Sequence, residues 1–143
     1  MMILNGSMHV ILLETDWRYF PTEDMDEAFG AFELDESAWG ILPQLADYPR
    51  DLIAVSGTLN LRHTFDIEPI GSVCLRFHIR LDHAPIGTQV YVNGWHAGTL
   101  QTADPLNADV TDYVSLEDNF VLLKLTRSGD LHGLSIQPIP CET

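Results

Sequence analysis

The side chains in this sequence that are best suited to bind a ligand are cations that recur at every second position. Arg76, His78 and Arg80 alternate with apolar residues in the predicted strand 72–82, and Arg62 does so in the predicted strand 57–67. Alternation of this kind places them on the polar side of a half-buried strand. We predict that the two strands are neighbours and that Lys124 joins the same surface. The candidate ligand-binding residues of this surface are Arg62, Arg76, His78 and Arg80.

These cations could either bind a ligand or form ion pairs within the protein. Arginine offers paired donors in a fixed geometry, which suits an anion or the hydroxyl groups of a sugar. The structural alternative is cross-strand ion pairing, with the acidic residues of segment 23–36 folded over the same face. Exposed ion pairs are each worth only about 0–1 kcal/mol, so pairing of this kind would stabilise the fold weakly.

Trp95 is the fifth candidate ligand-binding residue. It follows Asn93-Gly94, a pair of residues typical of a two-residue hairpin turn. Side chains beside such a turn are normally exposed, and an exposed tryptophan can stack on a pyranose ring or anchor a protein interface. The alternative is that Trp95 packs back onto a neighbouring loop.

The sequence shows no pattern typical of a catalytic or metal centre. A glycosidase needs two carboxylates about 5–10 Å apart, but 21 acidic residues make sequence spacing uninformative. Ser56 does not lie in a Gly-x-Ser-x-Gly motif, and the six histidines lack metal-ligand spacing. We therefore predict no catalytic residues, no enzyme activity and no cofactor. Four residues could offer oxygen ligands to Ca²⁺, although turn capping is favoured: Asp104, Asn107, Asp109 and Asp112.

The two cysteines predict free thiols rather than a disulfide. Cys74 lies in a predicted strand and Cys141 lies close to the last residue. Two cysteines are a weak basis for a disulfide framework, and neither lies in a Cys-x-x-Cys spacing. The first residues lack a basic region followed by a long apolar run, so we predict neither a signal peptide nor a membrane span. Together these features predict a cytoplasmic protein.

Length and charge limit the classes of partner. The chain has 143 residues and a formal net charge of −14, which suits a single domain over 1–143. Such a charge argues against nucleic acid and against anionic membranes, because both require a basic surface. A homo-oligomer is compatible with the composition.

The elements that must position these residues are predominantly β-strands. Apolar–polar alternation and turn residues predict an all-β fold, an antiparallel β-sandwich. Nine of the acids fall between Glu14 and Glu36 with aromatics among them, which predicts an irregular acidic N-terminal arm over about residues 14–45. Asp109 is expected to cap a turn over residues 109–114 by accepting backbone N–H groups. The predicted strands are 8–14, 57–67, 72–82, 88–92, 96–101, 119–126 and 131–136.

The order of several short motifs resembles a known family. Ala38–Pro43 is followed by Gly57–Phe65, by the hairpin Val90–Gly94, and by the turn Asp109–Tyr113. This order resembles the sugar-binding jelly-roll domain of family 2 glycoside hydrolases, one of the galactose-binding-like β-sandwiches. The resemblance covers residues 38–126 and implies a family-like core of about 38–138. It departs from the family pattern at Asn60, where the family usually carries an aromatic residue.

The resemblance implies a binding function without catalysis. This chain lacks the barrel that carries the two catalytic carboxylates in those enzymes. We therefore predict a non-catalytic, carbohydrate-binding-like module that stands alone, with a carbohydrate or a glycan-bearing molecule as its partner. The alternative is a structural or protein-interaction module that kept the fold and lost the sugar site.

Overall fold

The computed structural model of the chain is an antiparallel β-sandwich, which confirms the predicted fold class. The structure describes residues 10–22, 39–67, 74–115 and 117–141. The strands are β1 Ile11–Leu12, β2 Thr15–Thr22, β3 Gly40–Gln44, β4 Thr58–Phe65, β5 Leu75–His83, β6 Gln89–Val92, β7 Trp95–Thr99, β8 Leu106–Asp109, β9 Asn119–Leu125 and β10 His132–Pro140. A 3-10 helix at Leu45–Asp47 and one short helix, α1 (Asp51–Ser56), lie between β3 and β4.

The strands form two sheets that face each other across one core. The first sheet has four strands in the order β1-β10-β5-β8, and the second has six in the order β3-β2-β4-β9-β6-β7. Ile79 and Leu81 of β5 and Leu134 and Ile136 of β10 are fully buried from the first sheet. Leucines of β4 and β9 meet them from the second sheet: Leu59, Leu61, Leu123 and Leu125. The apolar–polar alternation of β5 therefore has its physical cause in this shared core, whereas β9 is buried along its whole length.

The predicted hairpin at Asn93-Gly94 is confirmed. Asn93 has φ 51° and Gly94 has φ 86°, so both central residues take the left-handed conformation of a type I′ turn. Asparagine and glycine tolerate that conformation best, which explains why these two residues connect β6 to β7. The turn sets the position of Trp95, the first residue of β7.

The predicted arm is not irregular at its two described ends. Residues Thr15–Thr22 form β2, which pairs with β4 on one side and β3 on the other. Trp17 is fully buried and lies opposite Leu42 of β3. The strand is hard to recognise in the sequence because acidic and aromatic residues are mixed in this segment. Trp17 and Tyr19, two positions apart, nevertheless both face the core. The acidic segment 23–36 lies outside the described residues.

The prediction of free thiols was wrong, because Cys74 and Cys141 form a disulfide. Cys74 precedes β5 and Cys141 follows β10, and these two strands are antiparallel neighbours. The backbone N–H of Cys141 donates to the Cys74 carbonyl oxygen at 3.0 Å, which extends the ladder by one more pair. The sheet thus brings together two cysteines that are 67 residues apart in the sequence.

Candidate functional site

The prediction of one cationic surface was wrong, because its four residues divide between the two sheets; Trp95, predicted separately, lies in a third place on β7. Arg62 lies on β4 in the six-stranded sheet, whereas Arg76, His78 and Arg80 lie on β5 in the four-stranded sheet. Because both strands turn their apolar faces toward the same core, their polar faces point in opposite directions.

Arg62 is buried on the outer face of the six-stranded sheet. Its side chain is 2% exposed, and its guanidinium carbon lies 3.9 Å from the centre of the Phe120 ring. Lys124 of β9 is also buried on this face, where it lies opposite Asn60 of β4. Arg62 is therefore not available as a surface donor.

A pocket of about 300 Å³ lies beside Arg62. Arg18 of β2 is directly opposite Arg62 in the sheet and lines the same pocket. His63 Nδ1 lies 3.0 Å from the Asp16 carbonyl oxygen, which can only accept, so Nδ1 carries the proton in this contact. The lining residues are Asp16, Trp17, Arg18, Ile41, Arg62, His63 and Thr64.

The outer face of the four-stranded sheet carries a polar network centred on Asp109 of β8. Arg76 Nε donates to Asp109 Oδ2 at 2.7 Å. The Thr111 hydroxyl and backbone N–H both donate to Asp109 Oδ1, at 2.6 Å and 2.9 Å. The hydrogen bonds from Arg76 and Thr111 hold the pKa of the Asp109 carboxyl well below its usual range. The predicted role of Asp109 as a turn cap is confirmed.

His78 and Arg80 are also engaged within this face. His78 Nδ1 lies 2.9 Å from Asn107 Oδ1, and His78 Nε2 lies 3.8 Å from Asp109 Oδ2. Arg80 Nε donates to Asp82 Oδ1 at 2.6 Å. These contacts favour the structural alternative of ion pairing, but the described acids that provide it belong to β5 and β8.

Trp95 lies at the end of the sandwich and presents an open aromatic surface. Its side chain is 61% exposed, and its ring stacks on the Tyr113 ring with centroids 5.7 Å apart and planes 11° from parallel. The sequence left two alternatives for Trp95, an exposed side chain and one packed onto a neighbouring loop. The structure combines them, because Tyr113 covers one part of the indole while much of the ring remains accessible.

The support beneath Trp95 is held by hydrogen bonds of Asn93, two of them buried and one partly buried. Asn93 Nδ2 donates to the Tyr113 carbonyl oxygen at 2.7 Å and to Asn119 Oδ1 at 2.9 Å. Asn93 Oδ1 accepts from the Phe120 backbone N–H at 2.9 Å. The hairpin turn is therefore fixed to the 109–114 turn, which limits movement of the stacked pair.

One turn connects the aromatic pair with the polar network. Asp109, at the start of the turn, binds Arg76. Tyr113, near the end of the same turn, stacks on Trp95. The sequence identified this segment as a turn but missed Tyr113 as the partner of Trp95. It named Asn107 as a possible oxygen ligand but missed its contact with His78, which depends on β8, a strand of four residues that shows little alternation.

The described ranges contain no group of three or more His, Cys, Asp and Glu side chains placed to hold a metal ion. Likewise, none of the helices in the described part of the chain has the length and apolar character needed to cross a membrane.

Two antiparallel sheets packed face to face define this protein as an all-β sandwich. No family model and no curated protein matches its sequence. Solved structures do match its fold. A β-glycosidase from Bacteroides vulgatus has a TM-score of 0.72 at 16% identity over 91% of this chain. A β-glucuronidase from an uncultured Clostridium species has a TM-score of 0.72 at 14% identity over 95% of this chain.

A third similar structure is β-glucuronidase 2 of Bacteroides uniformis, with a TM-score of 0.71 at 18% identity over 92% of this chain. The chain spans 20%, 30% and 18% of these three proteins, respectively. The matches confirm the fold that the sequence resemblance implied, that of a domain within family 2 glycosidases. They concern one part of each enzyme and not its whole length.

Proposed function

We propose that this sandwich is a non-catalytic carbohydrate-binding module with Trp95 as its binding platform. The observation that carries the proposal is the exposed indole, which is supported from behind by Tyr113. A flat aromatic surface can cover the apolar C–H face of a pyranose ring. A platform that is rigid before binding loses little conformational entropy when the ligand arrives.

Polar groups near the platform would supply hydrogen bonds to sugar hydroxyls. Asp112 is exposed and immediately precedes Tyr113, and His96 is exposed and immediately follows Trp95. Arg76 and His78 of β5 contact Asp109, which begins the turn that ends near Tyr113, and they would form a second polar region. Arg80 would contribute only after releasing Asp82, and Arg62 is too deeply buried to contribute.

The test is a thermal-shift screen of mono- and disaccharides, including a uronic acid, followed by calorimetric titration. A sugar that binds only the folded state raises the melting temperature, and a concentration of about 100 times Kd adds roughly 2.7 kcal/mol to stability. We expect Trp95→Ala to abolish the shift and Trp95→Phe to retain part of it. Val55→Ala is the matched control, because Val55 is an exposed apolar residue on α1.

Two results would contradict carbohydrate binding at Trp95. One is the absence of any shift with every sugar at millimolar concentration. The other is a sugar-dependent shift that persists unchanged in Trp95→Ala. The second result would place the sugar site elsewhere on the sandwich.

A protein-interaction module is the second candidate, favoured by an exposed apolar residue on an edge strand. Leu12 of β1 is 73% exposed, and β1 is the terminal strand of the four-stranded sheet. Stable interfaces bury more than about 1,000 Å², so such a module should assemble in solution. Light scattering after size-exclusion chromatography separates the two candidates, because Leu12→Ser would dissociate an assembly and leave sugar binding intact.

The disulfide bears on where the module works. The expected cytoplasmic location rested in part on free thiols, and the Cys74–Cys141 bond removes that support. Disulfides persist mainly in oxidising compartments. We therefore propose an oxidising compartment, which is also where glycan-bearing partners are accessible.

A further inference from the structure

Two exposed histidines form a cross-strand pair at the rim of the four-stranded sheet. His83 is the last residue of β5 and His132 is the first residue of β10, and the two are directly opposite in the ladder. Their ring centroids are 4.3 Å apart and their planes are tilted by 35°. The pair lies apart from Trp95 and from the network around Asp109.

The backbone beneath this pair is fixed. The next core-facing pair in the ladder is Leu81 opposite Leu134, and both of these residues are fully buried. The packed leucines hold the strand spacing, whereas His83 and His132 are both exposed at the strand ends. Each imidazole can therefore rotate without disturbing the core, while the distance between the two Cα atoms stays set by the ladder.

We propose that His83 and His132 together bind one divalent transition-metal ion. Imidazole nitrogen binds zinc at about 2.0–2.1 Å, so two ligands at adjacent coordination positions need nitrogens about 3 Å apart. Rings with centroids at 4.3 Å reach that separation by rotation about their side-chain bonds. Water molecules complete the coordination sphere, since the pair itself supplies two ligands.

The available ligands select the class of metal. Imidazole suits Cu²⁺, Ni²⁺ and Zn²⁺, whereas Ca²⁺ and Mg²⁺ prefer oxygen ligands. Two acids close to the pair in the chain or in the ladder are already engaged: Asp82, adjacent to His83, accepts from Arg80, and Glu14 accepts from the Gly133 backbone N–H at 2.5 Å. The affinity should follow the order Cu²⁺ above Ni²⁺ and Zn²⁺, with no binding of Ca²⁺ at this pair. The net charge of −14 further raises the local concentration of cations.

The experiment is a calorimetric titration of the oxidised protein with CuCl₂, NiCl₂, ZnCl₂ and CaCl₂. Both cysteines are held in the disulfide, so thiolates do not compete in a non-reducing buffer. Loss of groups that merely orient a ligand lowers metal affinity about 10- to 100-fold, so His83→Gln or His132→Gln should lower it at least about tenfold. His96→Gln is the matched control, because His96 is exposed on a strand and contacts Thr99 and Tyr91.

Electron paramagnetic resonance of the Cu²⁺ complex gives an independent measurement. We expect two coordinating nitrogens in the wild type and in His96→Gln, and one in either single variant of the pair. Equal Cu²⁺ affinity and equal nitrogen count in wild type and in His83→Gln/His132→Gln would overturn the proposal. So would a loss of affinity of the same size in His96→Gln, since that would indicate binding by scattered histidines.

Discussion

Asp109 shows how one carboxylate can organise a polar surface. It accepts hydrogen bonds from Arg76 on the neighbouring strand and from Thr111 within its own turn. Because all of these donors stabilise the ionised form, the pKa of Asp109 lies well below its usual range. The pKa of Arg76 is raised in turn, chiefly by its hydrogen bond to Asp109.

This pKa shift predicts an acid-dependent loss of stability. A carboxyl whose pKa is lower in the folded than in the unfolded state stabilises the fold fully above the unfolded value, about 3.9 for aspartate, and this contribution is lost progressively as the pH falls from there toward the folded pKa. We expect the free energy of unfolding to fall more steeply between pH 5 and pH 2.5 in the wild type than in Asp109→Asn. Urea unfolding at several pH values measures this.

Asp104→Asn is the control for the acid prediction. Asp104 is exposed, and its contacts are with Thr102 in its own loop: the Thr102 hydroxyl lies 3.4 Å from Asp104 Oδ2, and the Asp104 backbone N–H donates to that hydroxyl at 3.2 Å. We expect its pH profile to follow that of the wild type. Identical slopes in Asp109→Asn and the wild type would show that the Asp109 contacts do not persist in solution.

At the scale of elements, β2 contributes side chains both to the core and to the outer face of the six-stranded sheet. Trp17 points into the core, where its indole Nε1 donates to the Leu13 carbonyl oxygen at 2.9 Å. Arg18 and Phe20 alternate with it and share the opposite face with Arg62 and Asn60 of β4. The strand thus connects the core with the pocket beside Arg62.

Replacing Trp17 tests whether β2 belongs to the core. Trp17 is fully buried, and truncation of a buried Trp to Ala typically costs about 3–5 kcal/mol. We expect Trp17→Ala to lower the free energy of unfolding by that amount, measured by urea denaturation. Trp95→Ala is the matched comparison and should change stability much less, because Trp95 is largely exposed. Similar costs for the two variants would contradict the position of β2.

The sequence predicted strands better than it predicted which strands are neighbours. The long alternation of β5 and the Asn93-Gly94 turn were sufficient to locate β5 and the β6–β7 hairpin, because their signals are local. The assignment of Arg62 and Arg76 to one surface failed, since membership of a sheet depends on long-range pairing. β8 was missed because four residues are too few to show a period, and Tyr113 was missed because its role depends on a turn from another element.

At the scale of the whole molecule, the disulfide joins the two strands that form the centre of the four-stranded sheet. β5 and β10 pair over eight positions, from His132 opposite His83 to Pro140 opposite Leu75. The Cys74–Cys141 bond follows this last pair. The bond therefore fixes the register of the β5–β10 pair at its Leu75–Pro140 end, which is the end away from the buried pair Leu81 and Leu134.

Removing the disulfide should weaken the fold without changing it. In the chain-entropy model, a bond that closes a loop of 67 residues stabilises the folded state by about 4 kcal/mol. We expect Cys74→Ser/Cys141→Ser to lower the urea midpoint and to retain the β-sheet circular dichroism spectrum. Reductant should lower the midpoint of the wild type similarly and leave that of the double variant unchanged. Free thiols in the oxidised wild-type protein would contradict the bond.

The disulfide also divides the covalent structure into a ring and two tails. Residues 74–141 form the ring, which contains β5 to β10, and residues 1–73 and 142–143 form the tails on either side of it. A single proteolytic cut in any loop of the ring, such as the exposed segment 101–105, leaves both fragments covalently joined. A nicked molecule would therefore migrate as one species on a non-reducing gel, and it would separate into two fragments only after reduction.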